Sequence, residues 1–435
     1  MPGKPDVLLP RGQWRRLSVN IASLFSVQVA NYLLPLLTVP YVSRVIGPER
    51  MGLLNFSLSY NHYFVLLVSF GFDLSVVRLV AANRTDHAFV NRIFNEILVA
   101  KALLLGLAVG IFCALALGDP SFRALLPLHL ATCAYCFGVV LYPQWLFQGM
   151  EDLSRVASLS LLAKVLLTLG VFLLVRRADD YIYQNAVMSL AHIVVSGMAL
   201  NMAVRRYRLR FERVNWRAIG QRFRDSTTLF LSSVNNTLYS SSHVFMLGLF
   251  GTAYAVGVFS AASRLEAILR AFVVLALNQA LFPMVAAAFG ESREKGLATV
   301  RRLAPALLGL TTVIGLCLFV TAPVTVTLLY GERFAAAVPV LRLLAPLPVL
   351  LALNSLLGMH TMLNLRMDRA YFFITLGGSV IGLALNYVLI HRLSYTGAAI
   401  AWVTTEACVL LAMLAWLHTQ KITVISLSTP SNERR

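Results

Sequence analysis

Long apolar runs, separated by short polar turns, recur along the entire chain. A helix that crosses a bilayer needs about 20 predominantly apolar residues, and the runs have that length. Turn-forming sequences such as Gly47-Pro48-Glu49 interrupt the runs and predict helix ends. The pattern therefore predicts twelve membrane-spanning helices. They cover residues 17–46, 51–79, 91–117, 122–149, 154–175, 182–204, 222–250, 254–288, 299–329, 336–364, 370–390 and 396–418.

The composition agrees with this pattern. Of the 435 residues, 58% are hydrophobic and 13% are charged, and the mean hydropathy is +0.74. A soluble domain carries about 25% charged residues, so this apolar fraction is too large for a single buried core. The predicted fold class is an all-α polytopic membrane protein. No cleavable signal peptide is expected, because residues 1–16 are polar and lack an apolar stretch with a cleavage site.

Positive charge is distributed unequally between the two predicted sides of the membrane. Of the 37 Lys and Arg residues, 25 lie in the tails and loops on the side of the termini, and seven lie on the opposite side. Because cytoplasmic loops carry an excess of Lys and Arg, both termini are predicted to be cytoplasmic. The formal net charge of +18 is thus explained by topology, and no nucleic-acid partner is expected.

The longest predicted connection divides the spans into two sets of six. Residues 205–224 carry eight arginines, which a linker on the positive side explains better than a binding site for anionic lipid head groups. Weak self-similarity at an offset of 205 pairs Asn31 with Asn236 and Gly52 with Gly257, as in parallel repeats. The predicted organisation is a cytoplasmic tail (1–16), an N-lobe (17–204), a basic cytoplasmic linker (205–221), a C-lobe (222–418) and a cytoplasmic tail (419–435).

Several charged residues fall inside the predicted spans. An ionised side chain at the centre of a membrane helix costs about 2.5–3.5 kcal/mol on insertion scales, so each requires a partner or a function. The cations outnumber the acids, which favours an anionic substrate in a hydrated cavity. The cations are Lys101, Lys164, Arg264, Arg270 and Arg342, and the acids are Asp73, Glu266 and Glu406.

Internal ion pairs are the alternative explanation for these cations. Glu266 precedes Arg270 by four residues, which favours a pair on one helix face. Arg264 lies well around the helix from Glu266, so a role toward substrate is favoured for it, with an acid on another helix as the alternative. For Lys101 and Lys164 the two explanations stay open. Arg342 lies nearer a span end, where snorkelling to the interface explains it equally well.

No metal site or cofactor is predicted. The histidines in the spans are scattered, and Cys133 and Cys136 have neither a second cysteine pair nor clustered histidines.

A motif at residues 143–151 carries a family resemblance. Pro143, Trp145, Gln148, Gly149 and Glu151 form a Pro-x-Trp-x-x-Gln-Gly-Met-Glu pattern. It resembles the Wzx-type O-antigen and exopolysaccharide flippases of the polysaccharide transport family, in the MATE-like MOP superfamily. Further similar segments follow in order along nearly the whole chain. They are the opening 24–56, NQALFP at 278–283, VLRLLAPLP at 340–348 and GAAIAWVTTE at 397–406.

This resemblance implies a fold and a cargo. The fold would be two six-helix lobes around a central cavity, working by alternating access in a bacterial inner membrane. The cargo would be a polyprenyl-diphosphate-linked oligosaccharide, moved from the cytoplasmic to the periplasmic leaflet. Membrane lipids, a polysaccharide polymerase and a chain-length regulator are the further expected partners.

The resemblance also assigns roles to the charged residues. Lys101, Lys164 and Arg342 stand where members have basic residues, and Arg264 stands where Lys or Arg is usual. With Arg270 these form the expected substrate-binding set. Asp73, Glu266 and Glu406 are the coupling candidates. Asp73 and His360 depart from the expected Asn and Gln, so protons, sodium and the membrane potential all stay open as driving forces.

Two other functional classes are less favoured. A drug or cation exporter on the same fold should present unpaired acids, whereas the balance within these spans is basic. An oligosaccharide polymerase or ligase should carry its chemistry in large extracytoplasmic loops, and no outward loop here exceeds about a dozen residues. The protein is therefore expected to be a transporter and not an enzyme.

Overall fold

The computed structural model describes residues 11–270 and 276–422, and its side chains from residue 34 onward except at 35, 36, 276–280 and 282. The predicted tail residues 1–10 and 423–435 lie outside the described chain. Within it, helices joined by short turns account for nearly every residue. The helices are α1 (Arg11–Ser69), α2 (Phe72–Ala82), α3 (His87–Gly118), α4 (Pro120–Ala124), α5 (Leu126–Cys133), α6 (Tyr135–Leu141), α7 (Gln144–Gly149), α8 (Leu153–Leu174), α9 (Tyr181–Arg206), α10 (Trp216–Phe250), α11 (Ala253–Arg270), α12 (Ala276–Glu291), α13 (Arg293–Tyr330), α14 (Ala337–Leu344), α15 (Leu347–Leu357) and α16 (Asp368–Thr419).

Each predicted span coincides with one or more of these helices, so the fold class is confirmed. Helix α1 contains the first predicted span and most of the second, divided at Gly47, where φ is 78° and ψ is 175°. Helix α16 contains the last two, divided at Ser394. By length and apolar composition alone, eight stretches of the described chain could cross a membrane. One of the eight, Asp368–Thr419, holds two predicted spans, and another, Leu37–Ala82, holds the end of the first span and the whole of the second. Helices α10 and α11 are not among the eight, because their polar and charged residues lower the mean hydropathy.

The exterior of α13 shows which solvent surrounds the protein. This 38-residue helix is about 57 Å long at 1.5 Å per residue, more than the roughly 30 Å of hydrocarbon. One stripe of large aliphatic side chains at helical spacing is between 60% and 70% exposed, while the opposite stripe is buried. Such a surface is stable in lipid and not in water. The exposed stripe is Val313, Leu316, Val320, Val324 and Leu328.

The chain forms two compact units. The first takes in the described residues up to Val45 and Tyr60–Ser233, and the second takes in Ile46–Ser59 and Val234 to the end of the described chain. The segment 46–59, which hydropathy assigns to the N-lobe, thus packs in the second unit. It does so through Gly52 and Gly257, the two glycines that the internal repeat pairs. A Cβ on Gly52 would lie 1.7 Å from the carbonyl oxygen of Ala253, so only glycine fits this helix crossing.

The linker between the two sets of spans is shorter than hydropathy predicts. Helix α9 continues to Arg206 and α10 begins at Trp216, so the predicted linker 205–221 consists of two helix ends around residues 207–215. The extra helical turns are polar on most faces and bury Ile219. Hydropathy could not detect them, because it marks only the part of a helix that lies in hydrocarbon.

Candidate functional site

The first unit places Lys101 against Asp73. Gly71, in a left-handed conformation, ends the preceding turn and starts α2, which puts Asp73 in the first turn of that helix. The Lys101 ammonium on α3 donates a hydrogen bond of 2.8 Å to the Asp73 carboxylate. The lysine side chain is 2% exposed and the aspartate 37% exposed. Lys101 is therefore a buried cation with a counter-ion, as the ion-pair explanation of "Sequence analysis" requires. The carboxylate of Asp73 is the counter-ion.

Lys164 is half-buried midway along α8. It also has a partner within the protein. Neither lysine of the first unit is thus presented as an isolated charge.

The second unit contains the ion pair predicted from spacing. The Arg270 guanidinium donates to the Glu266 carboxylate at 2.8 Å, and the glutamate side chain is fully buried. Arg264, six residues earlier on α11, is half-buried. No acidic side chain lies within 4.0 Å of its guanidinium among the residues that the structure describes. The two arginines of this helix therefore differ: Arg270 is neutralised and Arg264 keeps its charge available.

A second buried carboxylate lies close to this pair. Glu406 on α16 is 1% exposed and accepts hydrogen bonds from the Tyr239 hydroxyl and, at 2.7 Å, from the Asn354 amide. It also lies within electrostatic range of both Glu266 and Arg270. Arg270 binds Glu266 directly and acts on Glu406 only at longer range, so one proton or small cation near the two carboxylates would relieve their repulsion.

Polar side chains of α10 continue this network. Asn235, Tyr239 and His243 follow one another at intervals of four residues and so lie on one helix face. Asn235 accepts a 2.9 Å hydrogen bond from Ser379, and His243 contacts the Asn386 side chain. This row was not singled out from the sequence, although its spacing of four is the signal that could have revealed it. It explains why α10 is more polar than a lipid-facing helix.

Arg342 occupies a different environment. It is exposed, its guanidinium carbon lies 5.3 Å from the centre of the Phe319 ring, and its Nε lies 3.4 Å from the Phe319 carbonyl oxygen. The side chain therefore runs along α13 with its cation on an aromatic face, a geometry typical of a snorkelling arginine.

The motif at residues 143–151 forms a helix end. Pro143 starts α7, Trp145 is buried, and Glu151 has a φ of 58°. The Glu151 carboxylate accepts a 2.7 Å hydrogen bond from Arg84, which lowers the pKa of Glu151 below its usual range. Through this contact the motif stabilises the packing of the turn between α7 and α8 against the turn after α2. Their part is structural.

The chemistry available to these residues is that of binding. No group of three or more His, Cys, Asp or Glu that could hold a metal ion occurs in the part of the chain that the structure describes. What the second unit offers is an arginine without an acidic neighbour, together with a buried pair of carboxylates. The first can bind an anion, and the second can take up and release a proton or cation.

The Glu266–Arg270 pair leads to a testable prediction. Removing Arg270 leaves the fully buried Glu266 uncompensated, which typically costs about 3–5 kcal/mol, and removing Glu266 leaves the partly buried Arg270 without this counter-ion. Glu266→Gln and Arg270→Gln should each lower the thermal unfolding temperature of the purified protein. The double variant should lose much less than the sum of the two single losses. Additive losses would show that the pair contributes no coupling energy, and Arg293→Gln, at an exposed helix start, serves as the control.

Comparison with known proteins places the chain among transporters. Residues 17–289 match the family described as "Polysaccharide biosynthesis protein". A protein of Escherichia coli (strain K12) named "Putative O-antigen transporter" is 26% identical over 405 residues, 93% of this chain and 97% of that protein. A Shigella dysenteriae protein of the same name is 24% identical and covers 91% of this chain and 98% of its own length.

Two solved structures show the fold. An inward-facing multidrug resistance MATE family transporter of the MOP superfamily has a TM-score of 0.71 at 17% identity, covering 89% of this chain and 94% of its own. The lipid II flippase MurJ in an inward closed conformation has a TM-score of 0.67 at 10% identity, covering 91% of this chain and 87% of its own. At these identities the similarity is one of fold.

Proposed function

Because the chain belongs to the polysaccharide biosynthesis protein family, we propose that it is a flippase for a lipid-linked oligosaccharide. The cargo would be an O-antigen or exopolysaccharide repeat unit on a polyprenyl diphosphate. It would be moved from the cytoplasmic to the periplasmic leaflet of the inner membrane by alternating access. The names of the relatives from Escherichia coli and Shigella dysenteriae support the substrate class.

The observation that carries the proposal is the state of Arg264. A diphosphate head group is strongly hydrated and anionic, so it crosses hydrocarbon only if fixed cations replace its water. Arg264 is a cation within a span, and its charge is not neutralised by any acid of the described chain within 4.0 Å. Lys101 and Arg270, in contrast, already have counter-ions. Arg264 is therefore our first substrate-binding residue, and Lys164 and Arg342 are the supporting candidates.

We further propose that Glu406 and Glu266 couple transport to an ion. Two buried carboxylates beside one arginine hold a proton or a monovalent cation more readily than isolated carboxylates do. The Tyr239 and Asn354 hydrogen bonds fix Glu406 in place, so that a change in its charge acts on α10 and α15. Asp73 remains a weaker coupling candidate because Lys101 holds it.

The direct test is reconstitution. Purified full-length protein in vesicles is given a polyprenyl diphosphate oligosaccharide with a fluorescent label on its sugar, and an impermeant reductant is added outside. Without flipping, only the label on the outer leaflet is destroyed, whereas a flippase exposes nearly all of it. Vesicles with the heat-denatured protein are the control, and protection of the inner label in active vesicles would contradict the proposal.

The same preparation separates the alternative transporter class. If the protein exports cationic drugs, the vesicles should transport a fluorescent organic cation and leave the glycolipid in place. The excess of cations over acids within the spans makes us expect the opposite result.

Topology gives a separate prediction, based on the unequal distribution of Lys and Arg. Reporter fusions within residues 207–215 and at both termini should be active as cytoplasmic markers and inactive as periplasmic ones. Fusions at Gly331 should show the reverse. A periplasmic signal from the 207–215 fusion would overturn the assigned orientation and, with it, the direction of transport.

A further inference from the structure

The connection between α9 and α10 is held rigidly, although it contains no regular structure. The Asn95 amide donates to the Arg210 carbonyl at 2.8 Å, and the Glu212 amide nitrogen donates to the Asn95 side-chain oxygen. The Arg210 amide nitrogen donates to the Asn91 side chain at 2.7 Å. Two buried asparagines of α3 thus bind the backbone of the connection as a strand partner would.

The start of α10 is fixed in the same unit. Arg222 donates a 2.8 Å hydrogen bond to Glu96, a glutamate whose side chain is 2% exposed. Ser226 shares a hydrogen bond with Ser75. These hydrogen bonds hold the connection and the start of α10. The side chains between Arg208 and Arg217 therefore extend from a backbone of fixed conformation.

Arg208 occupies a conformation that normally selects glycine. Its φ is 51°, and the Leu209 amide nitrogen donates to the Val204 carbonyl at 3.0 Å, which closes α9 as a left-handed C-terminal cap. An L-residue there is strained, whereas glycine is not. A long cation thus stands at this position against the preference of the backbone.

The exposed surface of this connection combines arginine side chains with aromatic rings. Phe211 and Trp216 are each 66% exposed. The arginines among them are exposed and have no acidic side chain within 4.0 Å among the described residues, since the pairs in this region involve only Arg206 and Arg222. We call this surface the linker patch: Arg208, Arg210, Phe211, Arg213, Trp216 and Arg217.

The length of α9 and the position of its apolar span favour a location of the linker patch at the level of the lipid head groups. Helix α9 has 26 residues, about 39 Å in length, which exceeds the roughly 30 Å of hydrocarbon. Because the predicted apolar span ends at residue 204, we expect the last turn of α9 and the residues that follow at the membrane boundary. Trp and Phe are stable at this level with their rings in the interface, and arginines beside them meet phosphates.

We propose that the linker patch is a binding surface for anionic phospholipid head groups of the adjacent leaflet. Four guanidinium groups and two aromatic rings extend from a hydrogen-bonded backbone and form a cationic surface. An anionic phosphodiester is the partner whose charge and position complement this surface. A connection that merely satisfied the positive-inside tendency would not need the hydrogen bonds by which Asn91 and Asn95 hold its backbone. The proposal is independent of the cargo.

The test compares two variants of the full-length protein that lose the same charge. The first is Arg208→Gln/Arg210→Gln/Arg213→Gln/Arg217→Gln. The matched control replaces four exposed arginines elsewhere in the chain with Gln, and it too includes one arginine with a positive φ, Arg366. Its positions are Arg293, Arg302, Arg366 and Arg369.

Both variants and the parent are placed in nanodiscs of equimolar phosphatidylglycerol and phosphatidylcholine, and native mass spectrometry counts the lipids that remain bound. Each arginine near an anionic surface contributes about fivefold in affinity. We expect the parent to prefer phosphatidylglycerol, the linker variant to lose at least about tenfold of that preference, and the control to change less than about twofold. Raising the salt from about 0.1 to about 1 M should weaken the parent's preference.

Equal losses in the linker variant and the control would overturn the proposal, because the effect would then be one of net charge. Displacement of phosphatidylglycerol from the parent by an equal concentration of farnesyl diphosphate would also overturn it, because the patch would then recognise diphosphates. Thermal unfolding in pure phosphatidylcholine nanodiscs shows whether the linker variant is folded. Vesicle transport by that variant is a separate measurement, so a failure here leaves the proposed function untouched.

Discussion

Replacing Arg264 with alanine is expected to abolish glycolipid transport while leaving the protein folded. The change removes a cation that costs about 2.5–3.5 kcal/mol to insert and that, within the described chain, compensates no acid at ion-pair distance. Folding should therefore lose nothing, and the unfolding temperature should stay the same or rise. Transport should fall to background in the vesicle assay, because the diphosphate loses a fixed counter-charge.

The chemistry of replacement at Arg264 distinguishes binding from packing. Arg264→Lys should keep part of the activity, since a point charge still attracts a phosphate but lacks the bidentate geometry. Arg264→Glu should be inactive because it repels the diphosphate. Arg293→Ala, which removes an exposed arginine at the start of α13, should behave as the parent does.

The rival explanation is that Arg264 forms an ion pair with an acid of another helix. Of the acids within the predicted spans, Asp73 already binds Lys101 at 2.8 Å and Glu266 already binds Arg270. Under the rival explanation Arg264→Ala would lower the unfolding temperature first, and activity would be lost only with the protein. A stable and fully active Arg264→Ala variant would contradict both explanations.

The number and order of the spans could be predicted because lipid imposes a strong constraint. In hydrocarbon every backbone group must be satisfied within the segment, so an apolar run of sufficient length has to be helical. The Glu266–Arg270 pair was equally accessible, since four residues on one helix fix the geometry without knowledge of the fold. Both inferences use local information alone.

The contacts between helices could not be predicted from the sequence. Lys101 and Asp73 are 28 residues apart, and Tyr239 and Glu406 are 167 apart. Hydropathy does not say which helices pack together, so the partner of a buried charge stays open until the packing is known. The extra turns at the start of α10 were missed for a related reason: they lie in water or among head groups, where no apolar run marks them.

The glycine pair Gly52 and Gly257 shows how one helix crossing depends on the absence of two methyl groups. A Cβ on Gly257 would lie 1.9 Å from the carbonyl oxygen of Pro48, and one on Gly52 would meet the backbone of Ala253 at 1.7 Å. Both obstacles are main-chain atoms of a neighbouring helix, so no side-chain rotation can remove them. The second half of α1 and α11 would have to separate, and their contact would be lost.

We therefore expect Gly52→Ala and Gly257→Ala each to destabilise the protein by at least about 3 kcal/mol, at or above the upper end of the usual cost of overpacking. The measurement is the unfolding temperature of the purified protein, together with the yield of protein that stays monodisperse in detergent. Because either methyl group separates the same two helices, the double variant should be little worse than either single one.

Gly106→Ala on α3 is the matched control: it adds a methyl group to a glycine inside a helix with nothing within 4 Å of the new atom. Alanine is the better helix former by about 0.8–1 kcal/mol, so this control should be neutral or stabilising. If Gly52→Ala behaved like Gly106→Ala, the close crossing of α1 and α11 would be wrong, and with it the assignment of residues 46–59 to the second unit.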